Sequence, residues 1–166
     1  MLNIAHRLSE IASQYGDRTG LIEARNGRSL SFGELNERAG CYASYLNSQG
    51  VTAGQRVMLM VKPSADFICL TFALFRLGAP VILIDPGMGY KNLLTCIAGV
   101  KPDYLVGIPQ VLLFKSIFRT IFRSVKKSFC CGRFLGSPWL DIRQEINRAL
   151  PDLHIFEADR DSLAAI

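Results

Sequence analysis

Apolar positions fall first at helical spacing. Ile4, Leu8, Ile11 and Ala12 line one side of residues 2–15, and Gly16-Asp17 stops the run. Residues 19–23 and 28–32 read as a short hairpin turning at Arg25-Asn26-Gly27, because Asn-Gly accepts the positive φ of a tight turn. A second helix follows. Ser31 stands where an N-cap belongs, and Glu34 three residues on completes a capping box. Leu35, Ala39, Tyr42, Ala43 and Leu46 form its buried stripe, and Gly50 marks its end.

The rhythm then changes to short apolar runs separated by helices. Residues 57–61, 80–84 and 104–108 have the continuous apolar character of strands buried on both faces. Residues 65–77 and 92–99 between them carry helical patterns. Strand, helix, strand, helix, strand of this kind predicts an α/β fold, a mostly parallel sheet flanked by helices. Residues 111–129 are expected to form one more helix. Its apolar stripe is Ile117, Ile121, Val125 and Phe129, with Phe118 and Phe122 beside it, and Lys115, Arg119, Arg123 and Lys127 form a cationic stripe opposite. Pro138 and Pro151 punctuate a less regular tail, with a short strand expected at 153–156.

Composition narrows the class without naming a function. The 166 residues are 49% hydrophobic and 20% charged, enough for one globular domain with a real core. The net charge of +5 is local. Residues 111–133 hold six basic residues and no acidic one, leaving 13 basic against 14 acidic elsewhere. That is no whole-protein field for nucleic acid. The basic amphipathic segment over 111–133 instead offers Lys115, Arg119, Arg123, Lys126 and Lys127 as contacts for an anionic surface, a peripheral membrane or an acidic protein partner. The bland alternative is a solvated outer face of a helix packed on the sheet. Nucleic acid fits worst, because its stacking aromatics should be interleaved with the basic residues, not set on the apolar side.

The five cysteines have odd count and irregular spacing, which is no disulfide framework, and Cys130-Cys131 with His154 matches no zinc spacing. No metal site is expected, and a cytoplasmic location is the simplest reading. Residues 67–84 are almost wholly apolar, but Arg76, Gly78 and Pro80 interrupt them, and a spanning helix needs about 20 apolar residues.

The one glycine loop that leaves a strand, Asp85-Pro86-Gly87-Met88-Gly89, fails both as a dinucleotide fingerprint and as a Walker loop. Asn92 stands where a third glycine is required, and no Gly-Lys-Ser/Thr follows. It reads as a turn, with Asp85 retaining a functional alternative by its place at the end of a strand.

Two longer runs, "LSFGELNERAGCYASYLNSQGVTAGQRVMLMV" and "KPSADFICLTFALFRLGAPVILIDPG", resemble the opening of the adenylate-forming (AMP-binding, acyl-CoA synthetase-like) enzymes. The shared features are the aromatic-x-Glu-Leu helix start at 32–35, the Gly-Val turn into a strand at 50–57, and a helix closing in Leu-Gly-Ala at 77–79. With "KPDYLVGIP" the resemblance is to the fatty-acyl ligase and olefin-biosynthesis β-lactone synthetase branch. It covers residues 1 to about 110 well and the remainder loosely.

The resemblance implies the N-terminal subdomain of the adenylate-forming ligase fold, incomplete, so that residues 1–166 make up a partial AMP-binding domain. It implies a full-length enzyme that uses ATP and Mg to activate a fatty acid or other carboxylate as an acyl-adenylate, then passes the acyl group to CoA or an internal hydroxyl. The family's Ser/Thr/Gly-rich phosphate loop, ribose-binding Asp and C-terminal catalytic Lys match no position here. No catalytic, cofactor-binding or metal residue is therefore assigned, and the chain alone is expected to be inactive. A sheet left without its next strand beyond 153–166 is expected to self-associate. The alternative is a free-standing binding or interaction module that reuses the fold without chemistry.

Overall fold

The computed structural model describes residues 3–84, 86–133, 138–159 and 161–166. Helix α1 (Ile4–Tyr15) opens on Asn3, whose side-chain oxygen accepts from the Ala5 amide at 3.0 Å. The same side chain donates to the carbonyls of Phe75 and Phe156, at 2.7 and 2.9 Å, so one cap also fastens the helix to two distant segments. Strands β1 (Thr19–Ile22) and β2 (Ser29–Ser31) form the expected antiparallel hairpin, with Gly27 at φ +70°. Helix α2 (Phe32–Ser48) begins on the expected capping box: Ser31 Oγ accepts from the Glu34 amide and Glu34 Oε2 accepts from the Ser31 amide.

The remaining elements build one parallel layer. They are β3 (Val57–Met60), α3 (Ala65–Leu77), β4 (Val81–Ile82), α4 (Tyr90–Val100), β5 (Tyr104–Gly107), α5 (Pro109–Ile117), β6 (Lys127–Cys130) and a short α6 (Ile142–Glu145). The sheet runs β4-β3-β5-β6 with every pairing parallel. From β3 the chain goes to one side through α3 and β4, then crosses back through α4 to β5 on the other side. Neighbouring strand residues face opposite ways, so each strand feeds two cores. Val57, Leu59, Val81, Tyr104, Val106 and Phe129 pack with α2 and α3. Met58, Ile82 and Leu105 pack on the other face with Leu93, Ile97 and Phe122. Two covered faces are what continuous apolar strands require.

The expected helix over 111–129 is corrected. Helix α5 stops at Ile117, and Phe118 leaves helical geometry at φ −99°, ψ 43°. Turns follow, and Lys127–Cys130 is a strand hydrogen-bonded along β5. The physical reason lies in the residues: Ser116, Ile117, Phe118, Thr120, Ile121, Phe122, Ser124 and Val125 form a β-branched, aromatic and hydroxyl-rich run that pays for helix with lost rotamer freedom. Phe129 gains more as a strand residue, with its ring 6.2 Å from those of both Tyr45 and Tyr104. The basic amphipathic helix over 111–133 therefore does not exist as one helix.

The expected strand at 153–156 is absent as well. That segment is held by Phe156, whose amide donates to the Arg76 carbonyl at 2.7 Å. The strand-like part of the tail lies further on: Ala165 bridges Val81 in parallel, and the Ile166 amide donates to the Val81 carbonyl at 2.9 Å. The β4 side of the sheet thus gains a neighbour from the tail itself. Asp141 bridges Cys130 on the β6 side.

Two close approaches fix the tail. Gly78 ends α3 at φ +65°, and a Cβ there would stand 2.4 Å from the Phe156 ring. Gly40, in the middle of α2, lets Pro151 and the Asp152 carbonyl lie against the helix backbone, where a Cβ would meet them at 2.9 and 3.1 Å. Arg76 is the third clamp. It is only 1% exposed and donates to the Asp152 carbonyl at 3.1 Å and to Asn36 Oδ1. Burial pulls its pKa below the ordinary guanidinium value.

Candidate functional site

The carboxyl ends of β3, β5 and β6 open onto a cleft of about 910 Å³. Its floor comes from the loops after those strands, which carry Val61–Ala65, 108–110 and 131–133, and its wall is the β1–β2 hairpin. The place follows from topology. Successive connections leave β3 and β5 in opposite directions, and in open parallel sheets that divergence creates a crevice outside the carboxyl ends.

Charge is concentrated there. Arg25, Arg28, Arg38, Lys62, Arg133 and Arg143 line the cleft, against Glu23 and Asp66. Both acids are already engaged. Glu23 Oε1 accepts from the Ala65 amide at 2.7 Å and Oε2 from Asn26 at 2.9 Å, tying the hairpin to the first turn of α3. Those hydrogen bonds, the backbone one foremost, hold the Glu23 pKa below its ordinary value. Asp66 accepts from Arg38 at 2.6 Å and from the buried Tyr42 hydroxyl at 2.8 Å. Burial and the neighbouring Asp66 charge push the Tyr42 pKa up. For Arg38 burial opposes the charge, but Asp66 outweighs it and raises the pKa.

Arg143 is held by Asp141, its guanidinium donating at 2.6 to 3.0 Å. Asp141 also accepts from the Gly132 and Arg143 amides, each at 3.1 Å. Burial works against the Asp141 carboxylate, yet these bonds win and lower its pKa. The other four cations differ. Arg25, Arg28, Lys62 and Arg133 are exposed, and among the described residues none forms a salt bridge.

Cys131, the thiol in the cleft lining, is pushed up to about 12 by burial and stays protonated at neutral pH. Among the described residues no group of three or more His, Cys, Asp or Glu is placed to hold a metal ion.

The basic residues singled out from the sequence lie elsewhere and do not form one face. Lys115 is half-buried and donates to Ser128 Oγ at 2.7 Å, with burial lowering its pKa. Lys126 pairs with Asp103 at 3.0 Å, and Lys127 donates to Gln49 Oε1 at 2.5 Å. Arg119 is exposed with its Nε on the Ser116 carbonyl, and Arg123 is exposed. Asp85 lies outside the described residues. The cleft cations escaped the sequence reading because they are scattered from position 25 to 143. The available signal was positional: Lys62 and Arg133 each come shortly after a strand end.

The fold is a doubly wound α/β layer with a crevice at the carboxyl edge of its parallel sheet. The model of the family described as AMP-binding enzyme matches residues 8–129. The chain belongs to that family. An olefin β-lactone synthetase from Stenotrophomonas maltophilia is 34% identical over 144 residues, 81% of this chain and 26% of that protein. Another from Xanthomonas campestris is 30% identical, covering 100% of this chain and 32% of its own length. The crystal structure of a long-chain-fatty-acid–CoA ligase from Archaeoglobus fulgidus superposes with a TM-score of 0.84 at 21% identity, over 99% of this chain and 33% of that one. This last likeness shows the fold alone. The chain spans a third or less of the length of the curated relatives it matches.

Proposed function

We propose that residues 1–166 are the N-terminal portion of an AMP-forming ligase that activates a fatty acid or other carboxylate as an acyl-adenylate. The observation that carries this reading is the 30% identity to an olefin β-lactone synthetase running through the whole chain. In the full-length enzyme the carboxylate attacks ATP, pyrophosphate leaves, and an acyl-adenylate forms. An internal hydroxyl is the acyl acceptor favoured here over CoA, because the β-lactone synthetases match at 34% and 30% identity while the CoA ligase match supports only the fold. ATP and Mg belong to the full-length enzyme in this proposal.

The chain by itself is proposed to be catalytically silent. ATP–pyrophosphate exchange with purified 166-residue protein and a panel of straight-chain and 3-hydroxy fatty acids tests this. No exchange above a protein-free blank is expected, and fatty-acid-dependent exchange overturns it. Self-association is proposed at the outer edge of residues 164–166, with Leu163 and Ile166 about half exposed beside it. Sedimentation velocity reads it directly, and a monomer at all concentrations overturns it.

No helix of the described residues is long and apolar enough to cross a membrane.

A further inference from the structure

We propose that a concavity at the amino edge of the sheet, between the start of α1, the end of α3 and the tail, binds a small neutral apolar molecule: one aromatic ring with at most a short alkyl substituent. The site lies at the opposite edge from the cleft and needs nothing from the ligase reading.

Its origin is in the sequence. The tail crosses the end of α3 at Phe156, whose ring lies over Gly78, and returns at Ala164, whose carbonyl accepts from the Val81 amide at 3.0 Å. Asp159 and Ser162 close the bend between them. The Ser162 hydroxyl donates to Asp159 Oδ1 at 2.6 Å and accepts from the Asp159 amide at 3.0 Å. Under that bend Gly78, Ala79, Ala158 and Ala164 are too small to fill the space, and a volume of about 190 Å³ remains.

Volume, surface and polarity choose the occupant. An apolar cavity of about 150 Å³ takes up benzene, so this one admits a single ring and a short alkyl group. Ile4, Phe75, Phe156 and Leu163 supply the large apolar walls. Ile4 and Leu163 are 58% and 54% exposed, so a ligand that covers them removes apolar surface from water. The polar side chains of the lining are already engaged. Asn3 donates to the Phe75 and Phe156 carbonyls and accepts from the Ala5 amide, while Asp159 accepts from the Ser162 hydroxyl and, at 3.1 Å, from the Asp161 amide. A polar group on the ligand would therefore lose water with no unengaged side chain among the described lining residues to replace it. An anion fares worse still. The Ser162 hydroxyl holds the Asp159 carboxyl below its ordinary range, so a carboxylate stands beside the site at neutral pH. An occupant touches α1, α3 and the tail at once, and so fastens the tail more firmly.

Titration of the isotope-labelled 166-residue chain with toluene, followed by amide chemical shifts, tests the proposal. Saturable shifts are expected at Ala79, Ala158 and Leu163, half-complete below about 2 mM. Benzoate, which adds a carboxylate to the ring, should bind at least about tenfold more weakly. Ala158→Leu and Ala164→Leu fill the cavity from two sides, and each should weaken toluene by about tenfold or more. Ala98→Leu, the same change at an exposed position of α4, should alter it by less than about twofold. Thermal melts verify that the variants fold, and either cavity variant serves if the other does not. Shifts that fail to saturate within the solubility of toluene overturn the proposal, as do saturating shifts centred elsewhere. Toluene binding unchanged by the cavity variants, or weakened equally by Ala98→Leu, also overturns it. Benzoate or benzylamine binding more tightly than toluene overturns the class of ligand.

Discussion

The two ends of the parallel sheet use cations in opposite ways. At the amino end four are spent on structure. Lys126 pairs with Asp103, Lys127 reaches Gln49, Arg56 donates to the Val100 carbonyl at 2.6 Å, and Arg76, at the far end of α3, is buried between Asn36 and the tail. At the carboxyl end four cations line a cleft and, among the described residues, form no salt bridge. The difference teaches that a run of basic residues in sequence is a poor guide to potential in space. Residues 111–133 look the most cationic, yet folding disperses them; the cleft is assembled from residues no window of sequence would join.

The largest effect that sharpens this contrast should come from Arg76. Arg76→Ala leaves a cavity, an unpaired Asn36 oxygen and a free Asp152 carbonyl, and should cost about 3 kcal/mol or more in chemical denaturation. Arg76→Met restores most of the volume and should recover part of that loss, the remainder measuring the polar contacts. By contrast Lys62→Gln and Arg133→Gln, on the exposed cleft, should stay within about 0.5 kcal/mol. A stability loss in the cleft variants as large as in Arg76→Ala would erase the distinction between the two ends.

Next comes Asp141, which shapes the cleft by holding Arg143 and the Gly132 amide. Its folded pKa lies below the ordinary 3.8, so its stabilisation is full above that value and is lost as pH falls through the lowered one. Asp141→Asn should cost about 2 kcal/mol at pH 7, since Arg143 keeps some solvent contact. Between about pH 4 and pH 2 its stability should then fall less steeply than that of the native chain. Urea melts across that range check the sign. A steeper acid loss in the variant would mean that Asp141 is not the titrating group.

Much of the fold was legible because local and global signals agreed. The capping box at Ser31 and Glu34, the αL stop at Gly78 and the apolar runs of β3 and β5 each stand where their residues demand. The reading failed where two periods compete. Residues 117–129 have apolar residues every fourth position, which satisfies a helix, but their β-branched and aromatic content and the vacant side of β5 favour a turn and a strand. The tail was illegible for another reason. It is fixed by close approaches to Gly40 and Gly78 and by a buried arginine, none of which leaves a periodic trace. The cleft was hidden because it depends on strand order, and the sequence shows strands without their neighbours.

The smallest effect expected concerns the anionic surface read from residues 115–127. A membrane-binding helix needs an apolar face buried in the lipid boundary beside its cations. Here Phe118, Ile121 and Val125 are packed against the core on the second face of the sheet, and Phe122 is 2% exposed. Only Ile117, at 69% exposure, and Leu113, at 57%, remain outside to anchor it. Lys115, Lys126 and Lys127 are held by Ser128, Asp103 and Gln49. Arg119 and Arg123 are left as the exposed contacts, and electrostatic attraction gives at most about 1 kcal/mol for each near a lipid surface. Co-sedimentation with phosphatidylserine vesicles should therefore be weak, should disappear by about 0.3 M salt, and should fall by no more than about thirtyfold, the roughly 2 kcal/mol two cations can supply, on replacing Arg119 and Arg123 with glutamine. A loss of about a hundredfold or more would mean that the turn is a membrane surface in its own right. The dispersal of the basic run by folding would then be incomplete, and the amino and carboxyl ends of the sheet would differ in ligand, not in purpose.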